Sequence, residues 1–205
     1  MDKTNIETNM KNIFRLIIIL LISSITVSTY AQNEKVDVTY VGNSGFLINI
    51  GDKKILIDAL FKGYESDYIL PEDIQKKLRL AQAPFDDVDL VIVTHAHGDH
   101  INPDMVQQHM KNNSNAIFAS TKQTVDVLNT RDTLDNFQAR RIGFNPLKDK
   151  PDKKEIRGIT IESYMLPHGP DSRIINIGFL VSVNGITFFH TGDVDFDQFT
   201  FEEFK

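Results

Sequence analysis

The chain has 205 residues, of which 41% are hydrophobic and 24% charged, and this composition favours one globular domain with a sizeable core. It contains no cysteine, which excludes a disulfide framework, a thiolate metal ligand and a cysteine-linked lipid anchor. The formal net charge is −6 at pH 7, and an acidic chain lacks the basic surface that nucleic-acid binding requires. We therefore expect no nucleic acid as its binding partner.

The first 31 residues have the order of parts that is typical of a secretory signal peptide. Lys11 and Arg15 precede an uncharged apolar run at residues 16–22. Thr29 and Ala31 are small residues just before the expected cleavage site. A membrane anchor that stays attached is the alternative. The apolar run is shorter than the about 20 residues that a spanning helix needs, so cleavage is the favoured prediction.

This prediction divides the chain into a signal peptide at residues 1–31 and a mature domain at residues 32–205, with Met10 as an alternative start of the signal. The mature domain would be periplasmic or secreted, and it would meet the membrane only through the signal peptide during export. No internal repeat or low-complexity segment indicates a further division.

The mature domain opens with a pattern of strands and tight turns. Apolar and polar residues alternate over residues 36–40, and apolar runs follow at residues 46–50 and 55–57. The segments 42–45 and 51–52 are rich in the residues that form turns. The pattern predicts an antiparallel meander of three strands.

Helices and strands are predicted to alternate after the meander. A helix is expected at about residues 71–80, a strand at 89–93, a helix at 102–111, a strand at 116–119 and a helix at 121–128. Asn102 and Thr121 are the expected N-terminal caps of the second and third helices. The alternation predicts an α/β fold.

The C-terminal part is predicted to be mostly strands. Residues 145–155 are expected to form a charged turn, and strands are expected at 158–165, 175–183 and 186–189. The last two strands are separated by Asn184-Gly185, which is a strong hairpin signal. A second antiparallel group of strands therefore follows the alternating part.

Half of the six histidines lie in one hexapeptide directly after the predicted strand at 89–93. His95 and His97 are two residues apart, which places both imidazoles on the same side of an extended segment. Asp99 and His100 follow where the chain turns towards the next helix. Imidazole and carboxylate ligands suit zinc and related first-row ions. The hexapeptide predicts a metal site at a strand end, against the alternative of a polar loop with incidental histidines.

The segment Thr94-His95-Ala96-His97-Gly98-Asp99-His100 resembles the signature of the metallo-β-lactamase superfamily. Later in the chain, residues 166–169 resemble the segment that carries the third histidine of that family, and residues 190–193 resemble its strand-end motif with a bridging aspartate. Residues 38–48 and 55–58 are similar to its first strands. The resemblance covers about residues 36–193 and implies a four-layer αββα sandwich.

The resemblance also implies a role for each polar residue of these segments. His95, His97 and His168 would bind a first ion, and Asp99 and His100 would bind a second ion. Asp193 would bridge the two ions. Asp58 would hold a loop or a ligand imidazole by hydrogen bonds, and His190 would be structural and bind no metal. His109, on a predicted helix, is expected at the surface.

The activity that the resemblance implies is metal-dependent hydrolysis. Two zinc ions, or other first-row divalent ions, would lower the pKa of a bound water to about 7 and polarise the electrophile. Asp99 would orient the resulting hydroxide for attack on an ester, lactone, phosphodiester or similar bond of a small-molecule substrate. A β-lactamase is an alternative that export suggests, but the β-lactamases of this superfamily generally lack an aspartate at the position of Asp193.

The sequence departs from the family pattern in two respects. The second metal ion of the family normally takes a further histidine downstream of the bridging aspartate, whereas no histidine follows His190. Three explanations are open: a piece of a longer protein, which is favoured, an enzyme with one tightly held ion, or a degraded, non-catalytic metal-binding copy. The sandwich is therefore expected to be incomplete at its C-terminus. In addition, Asn43 stands where many lactonase-type relatives have a histidine.

Overall fold

The computed structural model describes residues 35–64, 68–131, 137–169 and 173–197. These residues belong to one unit, which spans Glu34–Lys205. The predicted signal peptide at residues 1–31 lies outside the described residues. Within the four described ranges, no helix is long and apolar enough to cross a bilayer.

The described part contains twelve strands, three α-helices and a short 3-10 helix at Gln138–Arg140. The strands are β1 (Val36–Gly42), β2 (Gly45–Ile50), β3 (Lys53–Ile57), β4 (Gly63–Tyr64), β5 (Tyr68–Ile69), β6 (Leu90–Val93), β7 (Ile117–Thr121), β8 (Arg141–Phe144), β9 (Asp152–Ile156), β10 (Ile159–Leu166), β11 (Asn176–Val183) and β12 (Ile186–His190). The helices are α1 (Glu72–Arg79), α2 (Pro103–Asn112) and α3 (Lys122–Arg131).

The first sheet has six strands in the order β1-β2-β3-β6-β7-β8. Its first three strands form the predicted antiparallel meander, in which Val38 pairs with Ile48 and Leu47 with Leu56. The other neighbours, from β3 to β8, are parallel. Because the carboxyl ends of parallel strands meet at one edge of a sheet, the segments after β3 and β6 leave the sheet side by side.

The second sheet has four antiparallel strands in the order β12-β11-β10-β9. Leu166 at the end of β10 pairs with Asn176 at the start of β11, and His190 at the end of β12 pairs with Phe179. The ends of β10 and β12 therefore lie near the same edge of this sheet. Among the strands of the described residues, the short strands β4 and β5 pair only with each other.

The two sheets pack face to face around aliphatic and aromatic side chains. Ile55, Ile57 and Ile92 of the first sheet and Ile161 and Phe179 of the second are fully buried between them. Side chains alternate across a strand, so every second residue of β3 points into this layer. Full burial of an aliphatic or aromatic side chain contributes about 1.5–3 kcal/mol, which makes this layer the main source of contact between the sheets.

The opposite face of the first sheet packs against the three helices. Leu56 and Phe118 from the sheet are buried with Leu78 of α1, Val106 of α2 and Leu128 of α3. The described residues therefore form three layers, in the order helices, sheet and sheet. They account for three layers of the predicted αββα sandwich, since no helix of the described part packs on the outer face of the second sheet.

Side-chain caps start two of the helices where the sequence predicts them. Oδ1 of Asn102 accepts a hydrogen bond from the backbone N–H of Met105 at 3.1 Å, and Pro103 occupies the first turn of α2. Oγ1 of Thr121 accepts from the N–H of Thr124 at 2.9 Å at the start of α3. Each cap stabilises a helix by about 1 kcal/mol, and the first fixes the point where the chain turns after the histidine hexapeptide.

The sequence analysis did not predict four strands of the described part, which are the short pair β4 and β5 and the two sheet strands β8 and β9. β8 extends the first sheet, and β9 forms an edge of the second, so the predicted charged turn at 145–155 is wrong over residues 152–155. Lys153 and Glu155 of this strand are exposed while Ile156 is buried. Charged side chains on an edge strand are tolerated because one face is solvated, and they hide the alternation that marks a strand.

The prediction that His109 lies at the surface is also wrong, because its side chain is fully buried. Its Nδ1–H donates to the carbonyl of Leu78 at 2.6 Å, and Nδ2 of Asn112 donates to the carbonyl of Arg79 at 3.1 Å. The last carbonyls of a helix have no partner inside the helix. Two side chains of α2 therefore cap the C-terminal end of α1.

Burial makes His109 a site of pH-dependent stability. It lowers the pKa of the imidazole because the charged form loses its hydration, although the hydrogen bond to Leu78 acts in the opposite direction. Nε2, which would take the proton, is buried without a hydrogen-bond partner in the described part. The unfolded chain binds this proton more readily, so the contribution is complete above the ordinary histidine pKa of 6.5 and is lost as the pH falls towards the folded-state pKa.

We expect His109→Gln to weaken this pH dependence. At pH 8 the variant should be less stable by about 1 kcal/mol, because the hydrogen bond to Leu78 is lost, but on acidification from about pH 7 to pH 5 it should lose less stability than the wild type. Urea unfolding of metal-free protein at several pH values measures both effects. Lys111→Gln, an exposed change on the same helix, is the control. Equal slopes for wild type and His109→Gln would contradict the prediction.

Candidate metal centre

The six predicted metal ligands lie at one edge of the sandwich. His95, His97, Asp99 and His100 follow β6, His168 follows β10 and Asp193 follows β12. The first sheet supplies the histidine hexapeptide, and the second sheet supplies the other two residues. The site therefore lies where the loops at the ends of both sheets meet.

Asp58 connects the ends of two parallel strands at this edge. It follows β3 directly and has φ 44°, in the left-handed region that Asp adopts more readily than most residues. Its carboxylate is fully buried and accepts hydrogen bonds from the backbone N–H and the hydroxyl of Thr94, both at 2.8 Å. These bonds fix the residue that precedes His95.

The same carboxylate orients two histidines. Its Oδ2 lies 2.9 Å from Nε2 of His190 and 3.1 Å from Nδ1 of His100. Burial acts to raise the pKa of Asp58, but the hydrogen bonds with His100 and His190 outweigh burial and hold it well below its usual range. Asp58 is therefore ionised at neutral pH, and it lies where the predicted supporting role requires. His190 points at Asp58 and is absent from both groups of candidate ligands in the described part.

Four of the predicted ligands form a first cluster, consisting of His95, His97, His168 and Asp193. Their ligand atoms all lie within 4.8 Å of one another. Nε2 of His95 is 3.1 Å from Nδ1 of His97, and the ring of His168 has its centroid 4.7 Å from the centroid of each of these two rings. This is the set that the family resemblance gives to the first ion, with the bridging aspartate added.

A second cluster consists of Asp99, His100 and Asp193. Nε2 of His100 lies 3.1 Å from Oδ1 of Asp193 and 3.9 Å from Oδ2 of Asp99. The other oxygen of Asp193, Oδ2, lies 3.9 Å from Nε2 of His95. Asp193 therefore presents one oxygen to each cluster, which is the placement that a bridging carboxylate needs.

The two clusters fit a pair of divalent ions. Two nitrogens bound to one tetrahedral ion at about 2.0–2.1 Å are roughly 3.3 Å apart, and the facing nitrogens of His95 and His97 are 3.1 Å apart. Both ring nitrogens of His168 are buried without a hydrogen-bond partner in the described part, which is costly unless another group satisfies them. Imidazole and carboxylate donors suit zinc and other first-row ions alike, so the donor set defines the class of ion.

Burial and the neighbouring charges shift the pKa values of the imidazoles in opposite directions. Burial, followed by the nearby charge of His100, lowers the pKa of His95 to about 3, and burial with the nearby His168 lowers that of His97. Burial acts against the charged form of His100 too, but hydrogen bonds with Asp193 and Asp58 raise its pKa to about 10. At neutral pH, His95 and His97 are therefore neutral and ready to bind a cation, whereas His100 carries a proton that a cation must displace.

The loop that carries Asp193 passes through a narrow space between the sheets. A Cβ atom at Gly192 would lie 2.5 Å from Oδ1 of Asn176 and 2.6 Å from Oγ1 of Thr94, and φ of Gly192 is 59°. Both the space and the backbone conformation therefore require glycine. Nδ2 of Asn176 donates to the carbonyl of Thr191 at 3.1 Å and holds this loop in place.

The sequence analysis assigned no role to three polar residues that support the ligands. Thr94 was visible only as the residue before the first histidine, and Asn176 only as a polar residue at the start of an apolar strand. Asn43 was noted as a departure from lactonase-type relatives, but the structure places its Nδ2 3.2 Å from Oδ2 of Asp99. Its position in a turn at the same sheet edge is the signal that could have identified it.

An open cleft of about 720 Å³ lies beside the clusters and is lined by residues 168–169 and 192–197. Its walls include Asp193, Asp195 and Asp197, and the side chain of Asp193 is 41% exposed. The cleft is large enough for a small molecule, and its carboxylates give it a negative potential.

Comparison with known proteins identifies the family. The model of the beta-lactamase superfamily domain matches residues 37–204. The chain belongs to this superfamily. The resemblance stated from the sequence motifs is confirmed, and the α/β sandwich is confirmed as its fold class.

Two solved structures of the superfamily fold are similar to this chain. A protein from Parabacteroides distasonis matches with a TM-score of 0.54 and 16% identity, and the match covers 78% of this chain and 62% of that one. A metallo hydrolase from Ignicoccus hospitalis matches with a TM-score of 0.53 and 23% identity, covering 78% and 61% of the two chains. At these identities the matches show a shared fold.

Among the curated relatives, the UPF0173 metal-dependent hydrolase of Pyrococcus furiosus is 30% identical over 165 residues. The match covers 77% of this chain and 61% of the relative. The chain thus spans 61% of the length of the curated relatives it matches. Metal dependence and hydrolysis are stated in the names of those relatives.

We expect Asp58→Ala to weaken both the fold and the metal centre. Removing one member of a buried, charged hydrogen-bond network costs about 3 kcal/mol, because the N–H of Thr94 and the two histidines lose their partner. The affinity for zinc should fall by about 10- to 100-fold, because His100 is no longer oriented. Urea unfolding of the metal-free protein and calorimetric titration with zinc measure the two effects.

Asp52→Ala is the matched control for this prediction. Asp52 carries a largely exposed side chain, 77% accessible, in a surface ion pair with Lys53. Exposed pairs of this kind contribute about 0–1 kcal/mol, so the control should retain both its stability and its zinc affinity. If Asp58→Ala and Asp52→Ala unfold at the same urea concentration, the supporting role of Asp58 is wrong.

Proposed function

We propose that this chain is an exported, metal-dependent hydrolase that acts on a small molecule. The observation that carries the proposal is the placement of Asp193, whose two oxygens face two adjacent clusters of candidate ligands beside an open cleft. A purely structural zinc site closes with four ligands and has no need of a shared carboxylate or of access to solvent. The names of the curated relatives support the same activity.

Each of the site residues has a defined part in such a reaction. When bound, a pair of divalent ions supplies a water of lowered pKa and polarises the electrophile. His95 and His97 offer neutral nitrogens at pH 7, since burial keeps their pKa values low. Asp99 belongs to the second cluster, with its Oδ2 3.9 Å from Nε2 of His100, and a carboxylate oxygen at this position could accept a hydrogen bond from the attacking water and orient it.

The charge of the cleft favours a neutral substrate. Bound ions would attract an anion at the clusters themselves, but Asp195 and Asp197 lie on the cleft wall outside both clusters, where they would repel a phosphodiester more strongly than an uncharged ester or lactone. Phe196, with 66% of its surface exposed, adds an apolar contact on the same wall. An ester or a lactone is therefore the preferred substrate class, and a phosphodiester and a β-lactam are the competing classes.

The choice of substrate class can be tested with four chromogenic or pH-detected probes. We expect zinc-loaded protein to hydrolyse p-nitrophenyl butyrate or a simple γ-lactone at a higher kcat/KM than bis(p-nitrophenyl) phosphate or nitrocefin. Higher activity on the phosphodiester would overturn the argument from charge. Higher activity on nitrocefin would make the protein a β-lactamase.

The proposed activity also predicts the effect of replacing single metal ligands. We expect His95→Ala, His97→Ala and His168→Ala each to lower zinc content and to reduce hydrolysis by about a hundredfold or more, because the ion no longer acidifies water or polarises the substrate. Elemental analysis and initial rates measure the two effects. His109→Gln, which changes a histidine outside the site, should keep both. Full activity in any of the three alanine variants would refute the site assignment.

Export is supported by the basic and apolar order of residues 1–31. We expect the chain produced in a two-membrane bacterium to appear in the periplasm with Gln32 as its first residue, as measured by intact mass after osmotic shock. Ile18→Asp with Ile19→Asp interrupts the apolar run and should leave the chain uncut. A full-length mass in the wild-type periplasm, or no exported protein, would contradict the prediction.

A further inference from the structure

The turn between β1 and β2 approaches the second cluster from the first sheet. Gly42 and Gly45 pair across this turn, and Asn43 has φ 48°, a left-handed conformation that Asn adopts with little strain. A Cβ atom at Gly45 would lie 2.9 Å from the carbonyl oxygen of Asp58. The turn is therefore packed against the same segment that anchors His100.

The side chain of Asn43 reaches two candidate ligands of the second cluster. Nδ2 lies 3.2 Å from the backbone carbonyl oxygen of Asp99 and 3.2 Å from its carboxylate Oδ2. It also lies 3.4 Å from Nε2 of His100. The amide donates to both acceptors of Asp99, so it holds the backbone and the carboxylate of this residue together.

The second cluster depends on such support more than the first. The first cluster contains four candidate ligands, three of them histidines, whereas the second contains three, one of which is shared. The side chain of Asp99 is 18% exposed, and Asp58 does not contact it directly in the described part. A flexible carboxylate must lose rotamer freedom when it binds an ion, and a hydrogen bond that orders it beforehand reduces this cost.

We propose that Asn43 is a positioning residue that sets the affinity of the second metal ion by holding Asp99 in its binding orientation. The proposal rests on the metal centre of the proposed function, but it concerns only the binding of the second ion. It predicts that a substitution at position 43 changes the binding affinity of the second ion but not that of the first. The first ion, held by His95, His97 and His168, should be unaffected.

Calorimetric titration of metal-free, full-length protein with zinc tests the proposal. We expect two binding events in the wild type and, in Asn43→Gly, a 10- to 100-fold weaker second event with an unchanged first, a loss on the order of that seen for partners of metal ligands. Glycine accepts the left-handed conformation, so the turn itself is kept. Titration with cobalt, followed by its visible absorption, should show the same separation in the second equivalent.

Asn184→Gly is the matched control, because Asn184 has φ 51° in the hairpin between β11 and β12 and is exposed. Both variants should have the unfolding free energy of the wild type in the absence of metal, which separates a positioning role from a structural one. Asn43→Asp keeps the shape of the side chain but cannot donate, so we expect it to weaken the second event as well. A tighter second event in Asn43→Asp would make residue 43 a ligand and overturn the positioning role.

Three other outcomes would also overturn the proposal: an unchanged second event in Asn43→Gly, an equal loss in both events, or uptake of one ion by the wild type. None of these depends on a substrate. Protein that binds one zinc ion and still hydrolyses an ester would refute the role of Asn43 and support the proposed function. Protein that binds two ions with the expected dependence on Asn43 but hydrolyses none of the probes would support the role of Asn43 and refute the proposed function.

Discussion

The buried carboxylate of Asp58 is the constraint on which the site depends. A charge in the interior is tolerated only when every lone pair has a partner, and here Thr94, His100 and His190 provide the partners. Thr94 ties the carboxylate to β6, and His190 ties it to the end of β12 in the other sheet. One ionised group therefore fixes the histidine hexapeptide, one of its imidazoles and the relation of the two sheets at this edge. Hydrophobic packing brings the sheets together, and this network aligns their ends.

The electrostatics of the metal-free site divide the ligands into two kinds. Burial keeps His95 and His97 neutral, so the first cluster can accept a cation without losing a proton. His100 lies between two carboxylates, Asp58 and Asp193, and its raised pKa keeps it protonated. In the metal-free protein, its positive charge therefore balances the carboxylates that would otherwise face a cation. An incoming ion must therefore displace a proton at the second cluster but not at the first.

The sequence predicts much of this arrangement because its strongest signals are local. The hexapeptide from His95 to His100 and the glycine turns of the meander each specify their own geometry within a few residues. His109 could not be placed in this way, since its burial depends on the packing of α1 against α2 and its neighbours Gln107 and Gln108 are polar. β9 was missed because solvated charges mask an edge strand. The contact between Asn43 and Asp99 joins residues 56 positions apart, and only the tertiary structure reveals it.

Because the candidate ligands are divided between two sheets, the thickness of the core between the sheets affects the spacing of the ligands in the metal centre. His95 and His100 move with the first sheet, His168 and Asp193 with the second, and Phe144 and Phe179, whose ring centroids are 5.6 Å apart, help to set the gap between them. Coordination tolerates errors of only about 0.2 Å. A side chain deep in the hydrophobic layer, which contacts no candidate ligand, therefore contributes to the spacing of the ligands across the site.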